Sequence, residues 1–218
     1  MRDTARHIAF EPGLQRESEL TWWPEIGIGH CNVADLPSPY DRRYFDKYLR
    51  YEGTELSDKL LAFRLGLVRK HVGGVTLIDI GIGCGSFIKY RQAADAALTF
   101  GHDLNPWAAG WLLNNRSLAE PCDRGIEVAT FWDSLEHIDD PRPVILSKKW
   151  CFVSAPIFTD AGHVLRSKHF RRNEHRWYFT HEGIIQWFAA LGFALVEHTD
   201  EESKLGREDI GTYVFRRQ

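Results

Sequence analysis

Thr76-Leu77-Ile78-Asp79-Ile80-Gly81-Ile82-Gly83-Cys84-Gly85-Ser86-Phe87-Ile88 is the stretch on which the fold turns. The apolar, largely β-branched run at 75–78 reads as a buried strand of a parallel sheet, and an acid, Asp79, follows it. Gly81, Gly83 and Gly85 come next at alternate positions, as in a tight turn where backbone approaches a ligand with no Cβ in the way. Phe87-Ile88 then opens a helix whose N-terminus points back at that ligand.

Downstream, the helix runs to about Ala94, and Leu98 to Asp103 reads as a second strand ending in an acid. Pro106 opens another helix, Trp107 to Asn114. Residues 115–125 read as loop, leaving a weak or missing third strand. Ile126 to Trp132 is a strand followed by Asp133, Asp139-Asp140-Pro141 a turn, and Trp150 to Ala155 a further strand. A basic, histidine-rich stretch covers 162–176. Thr180 caps a helix to about Ala190, closed by Gly192. Strands at 193–199 and 211–216 finish the chain, with a polar, mobile segment expected at 200–209. Upstream, Leu56, Leu60, Leu61, Phe63, Leu67 and Val68 stripe a helix from Glu55 to His71 that Gly73-Gly74 ends. Residues 41–50 suit a short helix, and the part before them reads as irregular. Strands alternating with helices imply an α/β, Rossmann-like, doubly wound and mostly parallel sheet with a C-terminal antiparallel hairpin.

The 218 residues, 44% hydrophobic, suffice for one sizeable α/β core. A formal net charge of −3 gives no global field that calls for nucleic acid or a membrane. Cys31, Cys84, Cys122 and Cys151 form no CxxC pair, which fits reduced thiols better than disulfides or a zinc site. No stretch approaches the ~18–20 apolar residues of a spanning helix, and the N-terminus leads into no signal-like core. The expectation is a soluble, cytoplasmic protein without a membrane partner.

In a doubly wound sheet the ligand lies beyond the carboxyl ends of the strands, where strand order reverses. Asp103 stands about two dozen residues after Asp79, where a carboxylate takes both hydroxyls of a ribose. The G-x-G-x-G spacing lacks the third glycine that pyrophosphate binding prefers, which favours a nucleoside cofactor without a pyrophosphate. The competing readings are a glycine turn with no ligand and an NAD site. The motifs D-I-G-I-G-C-G, G-H-D-L-N-P and F-W-D-S-L-E-H-I-D-D-P, in that order over roughly 75–218, resemble the class I S-adenosylmethionine-dependent methyltransferase family, in the branch with the D-x-L-E-H signature. The resemblance implies about seven strands, S-adenosylmethionine as cofactor and methyl transfer from its sulfonium. It also implies a division into an N-terminal lid and substrate-contacting extension, 1–54, and a cofactor-binding domain, 55–218. By position, Asp79, Gly81, Gly83 and Gly85 line the methionine moiety and Asp103 holds the ribose. Leu104 and Asp133 complete the cofactor set. Asp123 is the candidate for the adenine amine.

Asp133, Glu136 and His137 follow the fourth strand on the rim where the methyl group is presented, and each is a candidate base. Alternatively the L-E-H turn serves architecture, with the histidine bonded to backbone. If the turn is helical, Asp133, Glu136 and His137 stand at metal-ligand spacing, with His175 folding back over the same rim. That arrangement resembles the metal-assisted O-methyltransferases of ubiquinone biosynthesis and those that methylate the terminal ribose 2′-hydroxyl of small RNAs. Their E-x-x-E-H motif holds a divalent ion; here its first position is the shorter Asp133. Arg171, Arg172 and Trp177 in the basic stretch can grip an anion and stack on a ring, or merely solvate a loop. Tyr40, Arg43, Tyr44 and Tyr48 are substrate contacts if residues 40–51 form a lid, or one side of a core-packing helix. The expected activity is methyl transfer to an oxygen or nitrogen of a small, anionic or sugar-like acceptor. A nucleotide or nucleic-acid acceptor, and a non-catalytic interaction module that keeps the cofactor fold, are the alternatives.

Overall fold

The protein is described by a computed structural model that covers residues 15–17, 20–31 and 40–218. In chain order the elements are β1 (Gln15–Glu17), β2 (Leu20–Trp23), β3 (Ile28–Cys31), α1 (Arg42–Leu49), α2 (Glu55–Val72), β4 (Leu77–Ile80), α3 (Ser86–Asp95), β5 (Thr99–His102) and α4 (Pro106–Asn114). There follow β6 (Val128–Trp132), a 3₁₀ turn at Leu135–His137, α5 (Arg142–Leu146), β7 (Trp150–Phe158), α6 (Ala161–Arg166), β8 (Trp177–Thr180), α7 (His181–Ala190), β9 (Phe193–Thr199), α8 (Glu201–Lys204) and β10 (Ile210–Arg217).

All four residues of β4 are buried, as expected of a parallel strand covered on both faces. β4 pairs in parallel with β5 on one side and β6 on the other, and β6 pairs in parallel with β7. Because the chain goes outward from β4 to β5 and then returns to β6, strand order reverses at the carboxyl end of β4. Gly101 makes a single parallel bridge to Leu118, so the third strand of this fold is reduced to one residue pair. The far edge of β7 is shared. Trp150 to Pro156 pairs antiparallel with β10, while Ile157 and Phe158 pair in parallel with Phe179 and Thr180 of β8. β10 pairs antiparallel with β9, giving the expected closing hairpin.

Successive strand residues point to opposite faces and fill two cores. Leu77, Val128, Phe152 and Val214 pack with Leu65, Leu67 and Val68 of α2 and Phe87 of α3. Ile78, Ala129, Val153 and Phe215 pack on the other face with Ile184, Trp187 and Phe188 of α7. The Phe188 and Phe215 rings stack at 3.9 Å. Among the described residues no helix is long and apolar enough to cross a membrane.

Two expectations are corrected. The stretch before residue 41 is not wholly irregular: β1, β2 and β3 form an antiparallel extension that joins the main sheet where β3 pairs with β8. The rest of that stretch, 1–14, 18–19 and 32–39, lies outside the described residues. The segment 200–209 contains α8 and a fully buried Glu202, so its polarity does not mark a solvated loop.

Candidate active site

The carboxyl ends of β4 and β5 carry two acids. Asp79 is 2% exposed and accepts a 2.6 Å hydrogen bond from Thr130 Oγ1, and burial pushes its carboxyl up to about 7. Asp103 is partly buried, which also raises its pKa, against the pull of the Asn105 N–H that donates to it at 2.8 Å. Leu104 beside it is exposed. Between the acids, Gly81, Gly83 and Gly85 have φ of 76°, 58° and 82°, the left-handed region that favours glycine. A Cβ on Gly81 would lie 2.5 Å from Ser134 Cβ, and one on Gly85 2.5 Å from the Trp111 ring. This backbone therefore stays bare. The cradle fits an extended amino-acid chain joined to a nucleoside: the half-buried backbone of Gly81 and Gly83 for the first, a carboxylate at the end of β5 for the second. Asp123 is not part of it. It receives the Gly125 N–H at 2.8 Å and lines a recess of about 700 Å³ with Thr76 and Ile126, at the amino ends of β4 and β6.

α1 covers the glycine turn. Asp41 caps it by accepting from the Tyr44 N–H at 2.9 Å, and Phe45 packs on the cluster of Ile82, Ile88, Ala108 and Leu112. Tyr48 lies against Gly83, its nearest ring atom 3.4 Å from where a Cβ would stand. Asn105 Nδ2 donates to the Asp41 carbonyl at 3.0 Å, tying α1 to the loop after β5. After α1, the Glu52 carboxylate accepts from Ser86 Oγ at 2.8 Å and Lys89 Nζ at 2.6 Å at the start of α3. The Tyr44 and Tyr48 hydroxyls lie 3.2 Å apart, and the Tyr40 hydroxyl is 3.2 Å from His137 Nδ1. Burial pushes the Tyr40 phenol up to about 12 and raises Tyr44 and Tyr48 as well.

After β6 the chain turns sharply. Asp133 has φ 58°, costly for a residue with a Cβ, by about 1–2 kcal/mol. Both its oxygens are held by arginines: Arg207 reaches Oδ1 and Oδ2 at 2.8 Å each, and Arg64 reaches Oδ2 at 3.0 Å. The two guanidinium charges outweigh burial and hold its carboxyl below the usual range, which makes Asp133 a poor base. Glu202 completes the network, accepting from Arg64 Nε at 2.8 Å and Ser154 Oγ at 2.7 Å and from Arg207 Nη1.

The 3₁₀ turn then brings Glu136 and His137 against His175. One ligand atom from each of the three lies within 4.8 Å of the others, and the two imidazoles meet edge to face at 4.5 Å. Glu136 is 2% exposed, its Oε2 has no hydrogen-bond partner among the described residues, and burial, reinforced by the Asp133 charge, raises its pKa. Burial lowers His137 to about 4; burial and then the neighbouring His137 lower His175 to about 2. Two neutral imidazoles and an orphaned buried carboxyl oxygen make a donor set that fits a divalent cation. Asp133, expected among those ligands, is turned to the arginines instead.

The remaining candidates separate. Arg171 is exposed at this mouth, 3.4 Å from Glu174, and its charge is felt by Tyr48, Glu136, His137 and His175. Arg43 and Arg172 are exposed on the surface. Trp177 is core: 7% exposed, it packs on Phe179 and Trp187 and donates its indole N–H to the Ile138 carbonyl at 2.9 Å. Arg64, Glu202 and Arg207 escape a sequence reading because the bonds that tie them to Asp133, Ser154 and one another across the fold mostly span 48 to 138 residues.

Comparison with known proteins agrees with the fold. A family model described as a methyltransferase domain matches residues 40–198. Among solved structures, geranyl diphosphate C-methyltransferase from Streptomyces coelicolor A3(2), in complex with Mg²⁺, geranyl diphosphate and S-adenosylhomocysteine, is similar at TM-score 0.57 and 12% identity, over 99% of this chain and 97% of that one. Magnesium protoporphyrin IX methyltransferase from Synechocystis PCC 6803, with bound S-adenosylhomocysteine, gives 0.55 and 15%, over 82% and 96%. The 1,6-didemethyltoxoflavin-N1-methyltransferase of Burkholderia thailandensis, with its substrate and S-adenosylhomocysteine, gives 0.54 and 12%, over 95% and 100%. At these identities the likeness is one of fold. No curated protein matches the chain in sequence. The chain belongs to the methyltransferase-domain family, as an S-adenosylmethionine-dependent enzyme of Rossmann-like fold.

Proposed function

We propose that the enzyme methylates an oxygen or nitrogen of a small, anionic or sugar-like acceptor held between α1 and the turn after β6, and that it belongs to the D-x-L-E-H branch. The observation that carries this reading is the Glu136–His137–His175 group, linked through α1 to the cofactor cradle: Tyr40 bonds His137 while Tyr48 rests on Gly83. In this reading residues 40–54 act as the lid. Asp103 takes the ribose hydroxyls, Leu104 lies along the adenine, and Asp79, Asp133 and the backbone of Gly81 to Gly85 border the methionine moiety. The cofactor supplies an electrophilic methyl group on a sulfonium.

The chain's own residues orient the acceptor and manage its proton. Burial keeps His137 uncharged at neutral pH, and the Tyr40 hydroxyl, meeting its Nδ1, orients the ring. A divalent cation held by Glu136, His137 and His175 would polarise an acceptor hydroxyl as a Lewis acid, and this favours oxygen over nitrogen. Arg171 supplies positive charge for an anionic group, and Arg43 and Arg172 extend that charge along the surface. Trp177 supports the wall from the core.

The test is transfer of radiolabelled methyl from S-adenosylmethionine to a panel of small hydroxy acids, phenols, amines and sugar phosphates. Each is assayed with chelator and with restored Mg²⁺ or Mn²⁺. Turnover on a panel member, lost in chelator and regained with metal, supports the reading; full activity in chelator rejects the cation. A nucleotide or nucleic-acid acceptor is the second reading, favoured by exposed Arg42, Arg43, Arg50, Arg171 and Arg172. It requires oligonucleotide affinity that falls steeply with salt, and affinity independent of salt counts against it.

A further inference from the structure

Arg64, Glu202 and Arg207 behind the site have no role in the reading above, yet their ion network is built around Asp133, the one strained residue of the turn that carries Glu136 and His137. Asp133 is held in its left-handed conformation by a two-pronged pair to Arg207 and a third bond from Arg64. The arginines are themselves fixed from behind. Glu202, fully buried, receives both, with Arg64 Nε at 2.8 Å and Nη2 at 2.9 Å, and Ser154 Oγ reaches the same carboxylate at 2.7 Å. The Arg64 guanidinium also lies over the Trp132 ring, 5.0 Å from its centroid, one residue before Asp133. Four separated segments thus meet at the first residue of the turn: α2, the end of β6, β7 and the α8–β10 connection.

Beyond Asp133 the turn is held along its length: Ser134 Oγ donates to the Ile80 carbonyl, Leu135 is buried in the core, the Glu136 carbonyl accepts from the Arg176 N–H at 2.7 Å, the Tyr40 hydroxyl meets His137 Nδ1 at 3.2 Å and the Trp177 indole donates to the Ile138 carbonyl at 2.9 Å. These holds act after the chain has left β6; the φ of Asp133 sets the direction in which it leaves. If Asp133 relaxed to an ordinary right-handed or extended conformation, the following residues would leave β6 at a different angle. The Glu136 carboxylate and the His137 ring would then be carried away from His175, which sits on a separate segment.

We propose that Arg64 and Arg207 are positioning residues of the active site: by clamping Asp133 in its left-handed turn they fix where Glu136 and His137 stand relative to His175. The inference rests on the reading of those three side chains as the reacting end of the site. It assigns the C-terminal connection, through Arg207 and Glu202, a part in shaping that site.

The test compares Arg207→Met with Arg207→Lys in the full chain. The Met variant keeps the side chain's length and removes its charge, while the Lys variant keeps the charge and loses the two-pronged fork. Two readouts are taken: the imidazole resonances of His137 and His175, shifted by their edge-to-face contact, and Mn²⁺ affinity by electron paramagnetic resonance. Calorimetric S-adenosylhomocysteine binding checks that the cradle is folded. For Arg207→Met the clamp predicts imidazole resonances that move toward those of separated rings, an Mn²⁺ affinity lowered about tenfold, and S-adenosylhomocysteine binding that is weaker but still measurable, since Asp133 borders the methionine moiety while Asp103 is untouched. Arg207→Lys falls between it and wild type. Wild-type resonances and Mn²⁺ affinity in Arg207→Met, with only a lower melting temperature, overturn the proposal, because the network would then serve stability alone. If the wild type binds no Mn²⁺ the cation reading fails by itself, and the imidazole resonances still decide the clamp. If Arg207→Met does not fold, the same readouts on Arg207→Lys decide it: displaced resonances uphold the clamp and wild-type ones overturn it.

Discussion

Replacing Glu202 with Ala is expected to destabilise the protein far more than its position in a polar surface connection suggests. Its carboxylate is fully buried and accepts four hydrogen bonds, two from Arg64, one from Arg207 and one from Ser154. Removing one member of such a group leaves charge behind in a poorly solvated place, which typically costs about 3–5 kcal/mol. The side chains of Arg64 and Arg207 are 12% and 22% exposed and both keep Asp133 as a partner, so the low end, about 3 kcal/mol, is appropriate here. For a chain of this size that corresponds to a fall in melting temperature of roughly 6–12 °C. Calorimetric or circular-dichroism melts of Glu202→Ala against wild type at neutral pH and fixed salt measure it. A loss of about 1 kcal/mol or less is the cost of a surface ion pair and would refute the buried network.

Other perturbations probe other parts of the site. Gly85→Ala should weaken S-adenosylhomocysteine binding and lower stability together, since the added Cβ is placed 2.5 Å from the Trp111 ring at a φ of 82°; a variant indistinguishable from wild type in calorimetry and melting contradicts the bare-backbone cradle. In metal-free protein, Glu136→Gln should gain stability relative to wild type as pH rises. A carboxyl whose folded pKa lies above its ordinary 4.5 contributes stability that is complete below that value and lost as pH passes through the raised folded value. The difference in melting temperature between the two proteins should therefore widen from about pH 5 to about pH 9, and a constant difference rejects a protonated Glu136. Tyr48→Ala, which uncovers Gly83, should speed dissociation of S-adenosylhomocysteine in stopped-flow fluorescence, and an unchanged rate removes α1 from the role of lid.

What could be read from the chain was local. The apolar run at β4, the three glycines and Asp103 announce themselves because each is set by neighbours a few residues away. The weak third strand was legible for the same reason and survives as the Gly101–Leu118 bridge. β2, β3 and β8 were not, because each is four residues long and none shows clean alternation; Trp177-Tyr178-Phe179-Thr180 is buried at every position. The segment 200–209 misled for a different reason. Polarity signals solvent only when charges face water, and Glu202 and Arg207 face partners at 64, 133 and 154. The D-x-L-E-H motif was legible as chemistry but not as geometry. An assumed helical turn puts Asp133 with Glu136 and His137, whereas its left-handed φ turns it to the arginines and leaves His175 as the third member of the group.

The most direct test of the account is titration of S-adenosylhomocysteine into the wild-type chain and into Asp103→Ala by isothermal calorimetry. The account predicts one cofactor per chain in the wild type and affinity weaker by about 1–3 kcal/mol in the variant, the loss of charge-assisted hydrogen bonds to the ribose. No binding heat in the wild type, or equal affinity in the two, would contradict it.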